Sequence, residues 1–580
     1  MRTIKQYLNL KVSAAIGSCT GLTDANANVI TASKVEFGDY QANGIMPIAK
    51  QLKTNPRELA NKVIEELDAL NLNIVQSYEV AGPGFINIYL SDVELLNRAN
   101  AIINNKFPLI PKSDKPSRIA VDYSSPNLAK EMHVGHLRGT IIGDAIVRIL
   151  EKQGHRVIRQ NHVGDWGTQF GMLICYLQEL QQTSEHDYPA ALTDLESFYR
   201  EAKSRFDSDS KFADRSRQAV VALQAGDPDS IKIWGQFIEV SLNHCDEIYS
   251  KLNITLERSH LDAESQYNDK LADVIERLQE EDLLTESEGA KCVFLEQFVG
   301  KDGTKLPVIV QKSDGGYLYS TTDIAAVDHK SHTLNLDRAL YVVDARQSLH
   351  FQQVFAVARE ANFATKRISL EHISYGTMMD SSGKPFKTRS GDTIKLIELL
   401  DESVSRAYAL VTEKNPALPE EERKIISQKV GIAAVKYADL SKNRTSDYIF
   451  DWASMLSFEG NTAPYLMYAY ARIRSILMKA NREESNNKIS ELKTPLERLL
   501  LRKLIQFPEI IDSVASDCFP NLLCNYLYEL AGMFMRFYEE CPILSENQDL
   551  RQSRLSLSHY SSLTLKQGLE LLGIETPSQM

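Results

Sequence analysis

The sequence predicts an α/β chain in three parts: a small N-terminal α+β unit, a central unit on a parallel sheet, and a helical C-terminal third. Three observations predict it. A strand, a loop, a helix and a second strand follow one another between Arg118 and Ile158, the order of a βαβ crossover. A polar, proline-bearing stretch, Phe107 to Pro116, sets that unit apart from what precedes it. From Thr393 onward the pattern is helical, with few β-branched runs. The length, 580 residues, agrees, since one hydrophobic core seldom organises a chain of that size and roughly three or four domains are expected. Hydrophobic residues at 43%, charged residues at 24%, Gly 28 and Pro 19 are ordinary for a folded globular chain and exclude collagen-like or low-complexity protein.

In chain order, the first unit carries a helical pattern from Asn55 to Leu70. An alternating stretch from Gly82 to Leu90 follows, with Phe85, Asn87 and Tyr89 on one face. No signal peptide and no membrane span are expected, because the apolar part of the N-terminal segment is short and broken by Lys11. In the central unit Arg118 to Asp122 reads as a buried strand. The loop Tyr123 to Asn127 follows, then a helix carrying Leu137, Ile141, Ile142, Ala145, Ile146, Ile149 and Leu150 that stops at Gly154. Parallel sheets of this kind bind ligands beyond the C-terminal ends of their strands, so Ser124 to His136 lies where a ligand is expected. From about 176 to 316 runs an insertion, helical and charged at first. It ends in hairpins marked by the turns Lys301 to Thr304 and Ser313 to Gly316, which flank a strand from Leu306 to Gln311. A strand from Ala339 to Val343 and a helix from Gln347 to Ala361 then resume the main sheet.

Seven cysteines, an odd number with no C-x-x-C spacing, argue against a disulfide framework and a zinc site, so no structural metal is expected. The net charge of −12 means that a nucleic-acid partner would need a local positive surface. The sharpest chemical feature is His133-Val134-Gly135-His136, between a strand and a helix start. Two imidazoles there can donate to phosphate oxygens, Gly135 admits a close approach, and the helix start adds partial positive charge. Such a site suits a nucleotide.

Ser125-Pro-Asn-Leu-Ala-Lys-Glu-Met-His-Val-Gly-His-Leu-Arg138, together with Gly164-Asp-Trp-Gly-Thr-Gln-Phe-Gly171, resembles the signature pair of the arginyl-tRNA synthetases, class I aminoacyl-tRNA synthetases. The resemblance continues through Gly376 to Met379, Phe386 to Gly391, Asn461 to Tyr465 and the ending Leu571 to Ile574. It implies a Rossmann-type catalytic domain at 113–392, an additional N-terminal domain at 1–112, a helical connection at 393–450, and a helical anticodon-binding domain at 451–580. It also implies activation of L-arginine with ATP and magnesium and transfer to the 3′ end of tRNA(Arg), by a cytoplasmic monomer. A synthetase for cysteine would share the histidine pair but need a zinc cluster that these cysteines do not supply. A small nucleotidyltransferase would lack the RNA-binding domains.

Residue by residue, the resemblance implies that His133, Gly135 and His136 bind ATP, the two histidines in a catalytic role. Tyr319 and Asp323, spaced i, i+4 on one helical face, match the family's arginine-binding pair, and Gln347 matches its glutamine. Asn127 and Asp122 match two positions near the substrate amino group, where relatives also carry Glu at the second. Phe386 to Gly391 stands in the place of the KMSKS loop without spelling it, so Lys384, Lys387 and Arg389 are its candidate cations. Lys130, three residues before His133, is expected to add charge at the phosphates. Phe85 and Asn87 match a position that reads a tRNA D-loop nucleotide. Tyr465, Tyr468, Tyr470, Arg472 and Arg474 have the composition of an anticodon reader, one or two of them touching RNA. Arg551 to Leu555 lies near the family's Asp-Ala-Leu-Arg signature without matching it closely. Trp166 is expected to pack, and Asp165 carries no assignment.

Overall fold

The computed structural model describes residues 2–183, 195–386, 394–480 and 488–577. Thr3 caps the helix Ile4–Thr20 in a reciprocal box with Gln6, satisfying donors that a helix start leaves open. The helix expected near Asn55 is Pro56–Ala69, with Asn55 as its cap and Pro56 pre-set for its first turn. Both belong with an antiparallel sheet ordered Val29–Thr31, Tyr40–Ala42, Phe85–Leu90, Val75–Ala81, whose Ile86, Ile88 and Leu90 enter the core.

The central sheet has four parallel strands in the order Ser369–His372, Arg338–Tyr341, Arg118–Asp122, Arg156–Gln160. Its crossover helix, Leu137–Lys152, ends at Gln153 before Gly154, whose φ of 83° is the left-handed conformation of a helix stop. Register places His372, Tyr341, Asp122 and Gln160 side by side at the C-terminal end of the sheet. That row floors the crevice.

The insertion holds the helices Leu195–Ser208, Ser210–Gln224, Pro228–Lys251 and Leu271–Glu280, then three antiparallel strands, Leu284–Ser287, Ala290–Val299 and Lys305–Gln311. The last is the expected strand, and Gly303 and Gly315 make its turns with φ of 82° and 86°. Ala290–Val299 is the partner strand that the expected hairpin requires, and Leu284–Ser287 was not anticipated. These two strands are antiparallel neighbours. They are joined by Glu288 and Gly289, both left-handed at 51° and 76°, and a Glu-Gly pair is a weaker hairpin signal than Asn-Gly. Among the described residues beyond 393 the fold is helical apart from Tyr448–Ile449, which pairs in parallel with Met378–Met379 and so departs from an all-helical reading of that stretch. Among the described residues no helix is long and apolar enough to cross a membrane.

The N-terminal unit docks on the C-terminal helices through polar contacts. Asp39 receives Arg498 on both oxygens at 3.1 and 3.0 Å, together with the Leu90 amide at 2.8 Å. Asp512 accepts from Gln6 of the N-terminal unit at 2.7 Å and from Gln153 of the crossover helix at 2.6 Å, so three units meet on one carboxylate.

The crossover helix lies tight against the strand it follows. A methyl at Gly143 would fall 2.3 Å from Tyr123 Cβ, far inside van der Waals contact. Gly143→Ala is therefore expected to cost about 1–3 kcal/mol, and to raise the KM for ATP because the same helix carries His136 at its start. Thermal melts and ATP titrations of the variant check both.

Candidate functional site

The crevice begins where the central strand leaves the sheet. Ser124 and Ser125 are both left-handed, with φ of 73° and 46°, a costly conformation for serine that persists only when its surroundings hold it. Here Thr140 donates to Ser124 Oγ at 2.8 Å, Ser124 and Tyr249 share a bond of 2.7 Å, and Asn161 Oδ1 takes the Ser125 amide at 2.9 Å. The kink turns the chain toward His133.

The two histidines are locked by their own backbone. His133 Nδ1 accepts the Gly135 amide at 3.1 Å and His136 Nδ1 accepts the His133 amide at 3.1 Å. With both Nδ1 atoms accepting, the protons of the neutral rings sit on Nε2. The ring centroids are 4.1 Å apart. Burial lowers the pKa of both, His136 to about 3 with further repulsion from His133, while Lys130 and Arg346 add to the lowering at His133. The pair is thus neutral near pH 7 and offers two Nε2–H donors. A methyl at Gly135 would lie 2.9 Å from the His133 ring, so this glycine serves the ring's seating as well as the access expected of it.

Lys130 lies with Nζ 4.3 Å from the centre of the Tyr199 ring, a cation–π contact with the insertion. Lys387 and Arg389 lie outside the described residues. The chain beyond them is tied to the histidine loop, since Val134 donates to Ile394 O and Leu396 to Met132 O, at 3.1 and 3.0 Å. Before them, Lys384 is exposed, in a turn where its amide donates to Asp380.

Across the crevice the helix Tyr319–Asp328 presents Tyr319 and Asp323 as the spacing required. Asp323 bonds His350 Nε2 at 2.6 Å, the Tyr319 ring meets the His350 ring edge-on at 4.7 Å, and Gln347 stands exposed one turn before His350. Sequence reasoning gave His350 no role; its bond to Asp323 supplies one. Sequence reasoning also missed His162, whose Nε2 lies 3.8 Å from Asp323, and Glu264. Burial raises the Glu264 carboxyl to about 7, Asp323 and Asp165 adding to the rise and His162 opposing it. A carboxyl so placed is available to a cation.

Two expected contacts change on inspection. Asp122 is only 4% exposed and both its oxygens carry donors, Ser125 Oγ at 3.2 Å and Lys330 Nζ at 3.1 Å, so it forms the floor rather than an open ammonium acceptor. Asn127 Oδ1 accepts the Ala129 amide at 2.9 Å, which leaves its NH2 as the free group, and an NH2 suits a carboxylate, not an ammonium. Asp165 holds Ser265 through its amide and hydroxyl at 2.9 and 2.6 Å, and Trp166 packs edge-on against Trp234.

On the N-terminal unit Phe85 is half-buried, but Asn87 is 2% exposed with Oδ1 taken by Gln41 at 2.7 Å. The side chain expected to meet a base is thus closed to solvent and bonded across the sheet by Gln41. In the C-terminal helices Tyr470 is buried in the core, as aromatic residues at helical spacing often are. Tyr465 packs edge-on to Tyr528, Arg474 is half-buried, and Arg472 donates to Tyr468 Oη at 2.7 Å and stacks 4.8 Å from the Tyr538 ring.

A parallel sheet whose crossover helix opens on a paired-histidine phosphate site, joined to a helical C-terminal unit, defines a class I aminoacyl-tRNA synthetase. The model for tRNA synthetases class I (R), catalytic domain, matches residues 98–452, the DALR anticodon binding domain matches 466–580, and the arginyl tRNA synthetase N terminal domain matches 3–90. The chain belongs to the arginyl-tRNA synthetase family. It is 54% identical over 579 residues to an arginine–tRNA ligase of Marinomonas sp. (strain MWYL1), covering 100% of both chains. It is likewise 54% identical over 578 residues to one of Laribacter hongkongensis, with the same coverage. Among solved structures it superposes on the Plasmodium falciparum arginyl-tRNA synthetase with a TM-score of 0.84 at 30% identity, and on that of Thermus thermophilus with 0.83 at 25%, each over 100% of both chains.

The buried carboxyl of Glu264 sets an expected direction for the pH dependence of the site. Below its pKa of about 7 the carboxyl is neutral and cannot balance a guanidinium, so the KM for arginine should rise as pH falls from 8 to 6. In Glu264→Gln the KM should be high throughout and nearly flat over that range. Steady-state kinetics at fixed ionic strength read the difference.

Proposed function

We propose that this arginine–tRNA ligase aligns ATP on the His133 and His136 Nε2–H donors and arginine along Asp323, Glu264, Tyr319 and Gln347, on opposite sides of one crevice. The observation that carries the reading is the fixed tautomer of the histidine pair, which leaves two neutral Nε2–H donors at the start of a sixteen-residue helix. Arg346, one residue before Gln347, acts electrostatically on His133, which supports a short gap between the two sides. The free NH2 of Asn127 holds the substrate carboxylate. One of its oxygens attacks the α-phosphorus, the bond to the bridging oxygen breaks, and pyrophosphate leaves with the electron pair.

No protein nucleophile is needed, because alignment and charge stabilisation carry this step. The histidines give hydrogen bonds without charge. The positive charge met by the departing pyrophosphate is assigned to Lys130, with Lys387 and Arg389. In the second step the 2′-hydroxyl at the tRNA 3′ end attacks the arginyl carbonyl and AMP leaves. Asp122, His162 and Asp262 are the described residues whose ligand atoms converge closely enough for a metal, but Lys330 Nζ lies among them, so they do not fit a divalent ion. Magnesium is read as arriving on the phosphates of ATP, and no step is routed through it.

For the RNA, Phe85 of the 1–112 unit is assigned to the D-loop, and Tyr465 and Arg472 of the 451–580 unit to the anticodon. The 113–392 unit does the chemistry and 393–450 connects it. Docking of the N-terminal unit on the chain's own C-terminal helices supports a monomer, and the cytoplasm is the proposed compartment.

Charging assays with purified tRNA(Arg) test the assignment. Arginine should be attached, and citrulline, whose urea lacks the charge, should react at least about a hundredfold less efficiently. Asp323→Asn should raise the KM for arginine about tenfold or more, the loss of a charged hydrogen bond, with the KM for ATP within about twofold. A larger effect on ATP would move Asp323 out of the arginine pocket. Lys130→Ala should slow arginyl-adenylate formation by about a hundredfold with arginine binding little changed. Rapid-quench measurement decides it, a rate within a few-fold of the parent assigning Lys130 to the Tyr199 contact alone.

A further inference from the structure

Beneath the arginine pocket lies a buried cluster to which the two-step reaction assigns no task. Lys330 is 1% exposed, on the π-helical turn His329–Thr333 that prolongs the helix of Tyr319 and Asp323. Its Nζ sits 3.1 Å from Asp122 Oδ2, 3.9 Å from Asp262 Oδ2, and 4.6 Å from the centre of the Tyr341 ring. His162 Nδ1 is 3.5 Å from the same Asp262 oxygen. Asp262 is also bonded by Tyr267 Oη at 2.7 Å and Gln160 Nε2 at 3.0 Å.

Two carboxylates and an imidazole whose ligand atoms lie within 4.8 Å of one another are the donor set of a divalent-metal site. Here an ammonium occupies that place. It supplies positive charge and three N–H donors, but no coordination sphere and no exchange with solvent ions. The charges then alternate along Asp122, Lys330, Asp262, His162 and Asp323, a line running from the floor of the crevice to the residue assigned to the guanidinium. Burial by itself would discharge both cations. The surrounding groups outweigh it, Tyr341, Asp122 and Asp262 for Lys330, and Asp262, Asp122 and Asp323 for His162, which is held charged with a pKa of about 9.

We propose that Lys330 is a positioning residue: a built-in cation that stands where a metal ion would otherwise bind, fixing Asp122, Asp262 and His162 so that Asp323 meets the arginine side chain in one geometry. This rests on the arginine-site reading above. It adds that the pocket is specified from below by a lysine that the substrate does not touch. Without Lys330 two carboxylates face each other in a buried space, and the least costly responses are protonation of one or capture of a divalent ion.

The test uses the full-length enzyme with Lys330→Met, close in shape and uncharged, and Co2+ as the probe. In the presence of a chelator, Lys330→Met should raise the KM for arginine by about tenfold or more, with the KM for ATP within about twofold. In equilibrium dialysis without chelator, the variant should gain about one Co2+ per chain over the parent, with visible d–d absorbance, and adding Asp262→Asn should abolish the gain. An unchanged arginine KM in Lys330→Met overturns the proposal. So does a parent that already binds Co2+ in a way Asp262→Asn removes, since a metal would then be the natural cation. If Lys330→Met melts too low to assay, the Lys330→Met/Asp262→Asn double variant removes one charge of each sign. Its arginine KM should still be raised, and a parent-like value overturns the proposal equally. Co2+ uptake does not depend on where arginine binds, so failure of the pocket assignment, read by Asp323→Asn, is separable from failure of this one.

Discussion

A carboxylate buried at the end of the central strand constrains the rest of the site. Asp122 stands in register between Tyr341 and Gln160, nearly closed to solvent, and a charge there is tolerated only with a cation and hydrogen bonds in contact. Lys330 meets that demand from the prolonged helix, which places the same helix's Tyr319 and Asp323 over the crevice. Ser125 meets it from the kinked loop, which leads to the histidines. The helix of Tyr319 and Asp323 and the loop leading to the histidines are thus registered to each other through one residue.

The division of labour across the crevice follows from charge. On the side proposed for ATP, His133 and His136 are neutral donors held by backbone amides, which leaves positive charge there to side chains around them. The opposite side gathers Asp323 and Glu264, with His350 and His162 against the first. Charge to oppose pyrophosphate is left to side chains at the rim, where Lys130 rests on an aromatic ring of the insertion.

What was legible in the sequence was mostly local. The βαβ unit and the histidine pair were read because strand, loop and helix are adjacent and their periodicities differ. Tyr319 and Asp323 were legible as a pair because helical spacing alone puts them on one face. Lys330 was not, because it meets Asp122 across a sequence separation of 208, and nothing in the pattern of a helix end announces a buried amine. His162, Asp262 and Glu264 were hidden for the same reason, the first following the strand Arg156–Gln160 and the other two arriving together from one segment about a hundred residues further on. Asn87 shows the reverse. Alternation placed it correctly on the outer face with Phe85, but alternation does not reveal that Gln41 from the neighbouring strand lies over it.

The bond from Asp39 to Arg498 spans 459 positions. At a synthesis rate of roughly 5–20 residues per second, the N-terminal unit leaves the ribosome about 20 to 90 seconds before its docking partner exists. Through that interval its sheet must persist on its own core, with Asp39 solvated instead of paired. A charged docking face is suited to waiting, since it invites water where an apolar one would invite other nascent chains. The cost of desolvating it falls only when the helix Pro495–Ile505 arrives, which makes this contact a late event in maturation.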